Sequence, residues 1–163
     1  MATSSQNSDS YLGSAPDGTG KRIAIVASRF HSDICEQLVT GAVEALQQAG
    51  VAAEAIGVYR VPGAFELPLI LQAIANTERF DAAVALGVVI RGETAHFDYV
   101  AGEAARGVRE VMLKTGLPIG FGLLTTDNEE QARERAGGRL GHKGREAAWV
   151  ALELATLLKE IAK

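Results

Sequence analysis

A single cysteine, Cys35, denies the chain any internal disulfide, which fits a reducing compartment and excludes a disulfide-stapled fold. Long apolar runs are missing too, and none approaches the ~20 residues that span a bilayer. No basic residue and no apolar stretch precedes Lys21. Neither a secretory nor a transit signal is therefore expected, and the expected location is cytoplasmic. Positive charge is not in excess: 16 Lys and Arg stand against 20 Asp and Glu, for a net charge of −4. With a pI near 5.4, nucleic acid is not favoured as a partner. Three scattered histidines and one helical cysteine make no metal-ligand pattern.

What is present is ordinary for a globular chain: 163 residues, 47% hydrophobic and 22% charged. That size supports one domain with a full core. Residues 1–20 are rich in Ser, Thr, Gly and Asp without periodicity, so a flexible tail is expected there. Tyr11-Leu12 is its only apolar feature. Residues 21–163 read as a single domain.

Apolar runs at 23–27, 55–61, 82–90 and 119–124 read as strands. Helical periodicity fills 33–49, 64–76, 94–115 and 145–162, and a short charged helix is expected from Thr126-Asp127 to Gly137-Gly138. Asp33 and Glu36 resemble a capping box, and Pro68 is tolerable only in a first helical turn. Strands recurring every ~30 residues with helices between them are the signature of a parallel sheet inside a three-layer α/β/α sandwich. The turns after the strands, at 28–31, 61–66, 90–96 and 125–128, then converge on one rim, where such sheets bind ligands.

The turn after the third strand is the richest of them. It offers Arg91, Gly92, Thr94, His96 and the free N–H groups of a helix start, a ready anion site. Three standard readings of such a rim fail. The first turn has no G-x-G-x-x-G, Gly141-His142-Lys143-Gly144 lacks the hydroxyl of a P-loop, and no carboxylates cluster at the ends of strands one and three. Each candidate also has a plain structural reading. His96 could be a surface residue, Phe30 a staple, Phe121 core and Glu66 a first-turn acid. Arg135, Arg139 and Lys143 could complement a helix dipole, or their glycine-rich loop could hold a phosphate. Cys35 and Trp149 read as packing residues. The residues alone thus lead to an α/β enzyme or binding protein for a phosphate-bearing ligand.

Several segments together resemble the lumazine synthase family of riboflavin biosynthesis. They are Ser28-Arg29-Phe30, Val61-Pro62-Gly63-Ala64-Phe65-Glu66, the stretch GVVIRGETAHFDYV at 87–100, Phe121-Gly122, Leu124-Thr125-Thr126, Glu134-Arg135-Ala136-Gly137 and Lys143-Gly144. The likeness runs from about Arg22 to the C-terminus. It implies a flavodoxin-like fold with a four-stranded parallel sheet. It also implies a transferase that condenses 5-amino-6-(D-ribitylamino)uracil with 3,4-dihydroxy-2-butanone 4-phosphate, without metal or organic cofactor. Carried over residue by residue, it makes Phe30 the stacking partner of the pyrimidine. Ala64, Phe65, Glu66, Val88, Val89 and Ile90 line the pyrimidine and ribityl chain. Glu93 and Thr94 meet the phosphate at the helix start, Arg135 clamps it, and Lys143 supports the same site. His96 becomes the proton donor. Phe121 and Arg135 are expected to close the pocket from a neighbouring subunit. The resemblance further implies a homopentamer assembled as a sixty-subunit icosahedral shell, with riboflavin synthase the candidate enclosed partner. Two positions depart from the pattern: His31 stands where relatives often carry asparagine, and Glu93 where a small residue is common, which leaves only the Glu93 backbone N–H to serve a phosphate. The competing readings are a shell or carrier that has lost turnover, and the related archaeal-type riboflavin synthase.

Overall fold

The computed structural model describes residues 16–163. The Tyr11-Leu12 feature and most of the expected tail lie outside the described residues. Just before the first strand the chain already has fixed partners: the Gly18 N–H donates to Ala49 O at 2.7 Å, and Lys21 Nζ donates to Asp17 O at 2.7 Å.

The four apolar runs pair as one parallel sheet of β1 (Ile23–Ser28), β2 (Ile56–Val61), β3 (Ala82–Ile90) and β4 (Ile119–Thr126), in the order β2-β1-β3-β4. Alternate residues of a buried strand point to opposite faces. Ile23, Ile25 and Ala27 accordingly join one apolar cluster, with α1 (Ser32–Gln48) and α5 (Lys143–Ile161). Ala24 and Val26 join the other, with α2 (Leu67–Asn76) and α3 (His96–Thr115). The sheet is thus covered by two helices on each side, the flavodoxin-like arrangement expected. None of the described helices is long and apolar enough to cross a membrane.

The helix ends differ from expectation in instructive ways. The capping box of Asp33 and Glu36 does not form. Instead His31, at φ 55°, is the N-cap of α1 and gives no side-chain cap bond. Asp33 pairs with Arg133 and Glu36 with Arg60. Helix two opens with a 3-10 turn at Ala64–Glu66, and Pro68 falls in the first turn of α2 as required. The charged helix α4 (Glu129–Glu134) begins later than expected, because the Asn128 side chain accepts the Gln131 N–H. The glycine-rich link beyond it is a small antiparallel hairpin of β5 (Ala136–Gly138) and β6 (Gly141–His142), with Gly137 and Gly141 at φ 105° and 93°.

Register decides where the site can be. Ser28 pairs with Val61, so β1 and β2 end level. The last pairing of β1 with β3 is Ala27–Leu86. The next four residues of β3, 87 to 90, run on beside β4 alone, ending with Ile90 opposite Thr126. A notch opens above the end of β1, where the chain turns one way to β2 and the other way to β3, the usual ligand crevice of an open parallel sheet.

Candidate active site

The notch is an open cleft of about 560 Å³. Its floor is the overhang of β3, Val88, Val89 and Ile90. One wall is the β2–α2 turn with Gly63, Ala64, Phe65 and Glu66, and the other is the start of α3 with Thr94, His96, Phe97, Tyr99 and Val100. Phe30 and His31 stand over the end of β1. Nine of the residues named from the sequence therefore meet in one place: Phe30, Ala64, Phe65, Glu66, Val88, Val89, Ile90, Thr94 and His96.

Backbone bonds fix the geometry. The Arg29 N–H donates to Val61 O at 2.8 Å and the Phe30 N–H to Pro62 O at 3.2 Å, tying the first turn to the second. Cys35 Sγ donates to Phe30 O at 3.2 Å and lies 3.4 Å from Ser28 Oγ. That thiol is fully buried, and burial pushes its pKa up, with the Ser28 hydrogen bond opposing. It is a packing residue, as expected, with a second job beneath Phe30. The Phe30 ring itself is 69% exposed and Phe65 59% exposed, so two aromatic faces are open to a planar ligand. Glu66 holds the β2–α2 turn closed: its Oε2 accepts the Gly63 N–H at 3.0 Å. Among the described residues, its other carboxylate oxygen has no hydrogen-bond partner.

At the third turn, the His96 N–H donates to Thr94 Oγ1 at 3.4 Å and the Asp98 N–H to Ala95 O at 3.0 Å. Among the described residues, the N–H groups of 92–95 carry no hydrogen bond. They lie at the positive end of the α3 dipole. Arg91, read from the sequence as part of this offering, points elsewhere. Its guanidinium bonds Asp127 at 3.2 Å and Asp98 at 3.5 Å, and sits over the Phe97 ring at 4.3 Å. These contacts brace the turn.

Four expected residues are not part of the cleft lining: Glu93, Phe121, Arg135 and Lys143. Glu93 is exposed in the same turn. Phe121 lies on β4, 40% exposed. Arg135 is half-buried at the end of α4, with Nη1 donating to Gln131 O at 2.9 Å. Lys143 Nζ pairs with Glu146 at 3.2 Å. The Lys143 N–H also donates to Arg135 O at 2.8 Å, which holds these two cationic residues side by side. Among the described residues, the cleft lining contains no lysine or arginine.

Gly63, Phe97, Tyr99 and Val100 also line the cleft, and none of them carries a site role in the sequence reading. Tyr99 and Val100 lie three and four positions beyond His96, so helical spacing from His96 was the signal that could have found them.

Comparison with known proteins agrees with the fold class. The family model for 6,7-dimethyl-8-ribityllumazine synthase matches residues 20–159. A protein of Syntrophus aciditrophicus (strain SB), named 6,7-dimethyl-8-ribityllumazine synthase, is 50% identical over 142 residues, which is 87% of this chain and 92% of that one. The chain belongs to the 6,7-dimethyl-8-ribityllumazine synthase family.

Proposed function

We propose that the cleft over β1 binds 5-amino-6-(D-ribitylamino)uracil and 3,4-dihydroxy-2-butanone 4-phosphate and condenses them to 6,7-dimethyl-8-ribityllumazine, the penultimate step of riboflavin biosynthesis. The observation that carries the reading is the meeting of Phe30, Glu66 and His96 around the β3 overhang. The flat uracil stacks on the open Phe30 ring, where aromatic stacking adds ~0.5–1.5 kcal/mol beyond burial. Ala64, Phe65, Val88, Val89 and Ile90 line the pyrimidine and ribityl chain, and Glu66 takes ribityl hydroxyls. The phosphate sits on the N–H groups at Glu93 and Thr94. The amine attacks the ketone to give an imine and one water, phosphate is eliminated, the second nitrogen closes the ring on the remaining carbonyl and a second water is lost. His96 moves the protons, a task suited to an imidazole, which can both donate and accept a proton.

A phosphate dianion in a cleft without its own lysine or arginine needs a countercharge from outside. Arg135 and Lys143, adjacent on one arm away from the cleft, supply it in this reading from the next subunit, and Phe121 closes the same pocket. The active form is then a homopentamer. The tight β5–β6 hairpin, without an insertion, favours packing of pentamers into a sixty-subunit shell, with riboflavin synthase as candidate cargo, in the cytoplasm.

The test is to mix the purified protein with both substrates and follow lumazine absorbance. Activity on lumazine alone, with none on the two substrates, overturns the reading. Arg135→Ala should raise KM for the butanone phosphate by roughly tenfold or more, since a charge-assisted hydrogen bond is worth about 1.5–3 kcal/mol. KM for the pyrimidine should change little. Equal effects on both would make Arg135 a structural residue.

A further inference from the structure

His142 sits where three elements meet. It closes β6, it is the N-cap of α5, and it precedes Lys143. Its Nδ1 accepts the Arg145 N–H at 3.3 Å, so the cap needs that nitrogen unprotonated. The ring fills a notch on α1 that exists because residue 41 is glycine: a Cβ there would overlap the ring and stand 2.7 Å from Nδ1. On the hairpin side the ring lies by Gly137, whose added Cβ would be 3.3 Å from Cδ2. His142 also pairs with Ala136 across the hairpin, one residue from Arg135, whose carbonyl takes the Lys143 N–H. One imidazole therefore fastens the arm bearing Arg135 and Lys143 to α1 and to the start of α5.

We propose that His142 is a positioning residue for this cationic arm and fulfils that role only as a neutral cap. The positioning part rests on the reading that Arg135 and Lys143 bind the substrate phosphate. A proton on Nδ1 would replace the acceptor with a donor aimed at the Arg145 N–H, breaking the cap and pressing the ring out of its notch. The surroundings favour the neutral form at ordinary pH. Burial lowers the imidazole pKa from its usual 6.5, the Gln37 backbone of α1 opposes, Arg145 of α5 adds to the fall, and Glu44 of α1 opposes. Gly137, on the β5 side, brings no charge. Since the folded pKa is the lower one, the unfolded chain takes up the proton first as pH falls. The stabilisation is present above the ordinary value and is lost downward from there to the folded value.

His142→Asn separates capping from titration, because asparagine is among the best N-cap residues and does not ionise. Thermal midpoint and KM for the butanone phosphate are measured on the assembled wild-type protein and on H142N, at about pH 7.5 and about pH 5.5, either side of the ordinary histidine value. The ionisation of the substrate phosphate near ~6 affects both proteins alike. Between the two pH values the wild-type midpoint should fall roughly 2–4 °C further than that of H142N, as loss of one cap predicts. Its KM should rise roughly fivefold more, with kcat changing alike in the two proteins. His142→Ala, without a cap, should show the raised KM at both pH values. Equal pH dependence of the midpoint in wild type and H142N overturns the proposal. So does a KM ratio that stays flat with pH while Arg135→Ala raises KM. If Arg135→Ala leaves KM unchanged, it is the phosphate reading that has failed, and the midpoint comparison still decides whether His142 is a proton-sensitive cap.

Discussion

Two glycines of β4, on the face opposite Phe121, offer a sharp test of how tightly the layers are set. A Cβ at Gly120 would overlap the carbonyl oxygen of Ala147 in α5 and lie 2.6 Å from its carbon and 3.2 Å from its Cα. All three are backbone atoms, so relief requires α5 to move away from the sheet. A Cβ at Gly122 would meet Leu86 Cδ2 at 2.5 Å, Ala147 Cβ at 3.1 Å and Ala85 O at 3.2 Å. There the closest atom is the end of a flexible side chain, which can turn aside. Overpacking costs typically ~1–3 kcal/mol, and replacing glycine in a strand returns ~0.5–1 kcal/mol. Gly120→Ala should therefore lose roughly 2 kcal/mol or more, while Gly122→Ala should stay within about 1 kcal/mol of wild type. Guanidinium unfolding followed by circular dichroism at one fixed protein concentration measures both, because assembly links apparent stability to concentration. The reasoning fails if Gly120→Ala matches wild type, or if Gly122→Ala is the more damaging of the two.

Three further outcomes are expected. His96→Ala should slow turnover, with the loss at or below the low end of the ~10²–10⁴-fold range of general acid–base catalysis, because holding two reactive substrates together supplies much of the rate; a wild-type rate across about pH 6–8 would remove His96 from proton transfer. Analytical ultracentrifugation should show no active monomer and a large closed particle; a single pentamer unaffected by phosphate would rule out the shell, and a fully active monomer would rule out the shared pocket. Cys35, buried and with its thiol pushed up by burial, should resist a thiol reagent in the native protein and react as one thiol per chain after denaturation; fast native labelling would mean that the Phe30 turn opens readily.

The layers of this fold were legible because its strands are buried on both faces and so read as unbroken apolar runs. The run from Ala82 to Ile90 matched the observed strand residue for residue. What was not legible depends on the register between strands. Nothing in the run itself tells that β3 extends past Leu86 without β1 beside it, yet that overhang forms the floor of the cleft. Helix starts were misread where a distant partner intervened: Arg133 takes Asp33 away from capping, and His31 enters the left-handed region instead. Arg91 was misread for the same reason, since Asp127 lies 36 positions away in the chain. The β5–β6 hairpin has too few side chains to show alternation, because Gly137, Gly138 and Gly141 make up most of it.

The small residues that line these layers bear on how such a protein can be changed. Ala24, Ala27, Ala82, Ala83 and Ala85 are fully buried in the two central strands. Gly107 admits the Pro68 ring between α2 and α3, and Gly144 leaves the start of α5 no room from the Leu38 backbone of α1. An interior packed this closely has little slack, so most enlargements there are paid for in stability. Several side chains on the turns at the carboxyl ends carry no such constraint: Phe30, Phe65, Thr94 and His96 are all exposed. New ligand preferences are therefore open to selection through those turns while the layers beneath stay fixed. A random library confined to residues 29, 30, 65 and 92–95 should keep far more folded members than one of equal size spread over the strand alanines.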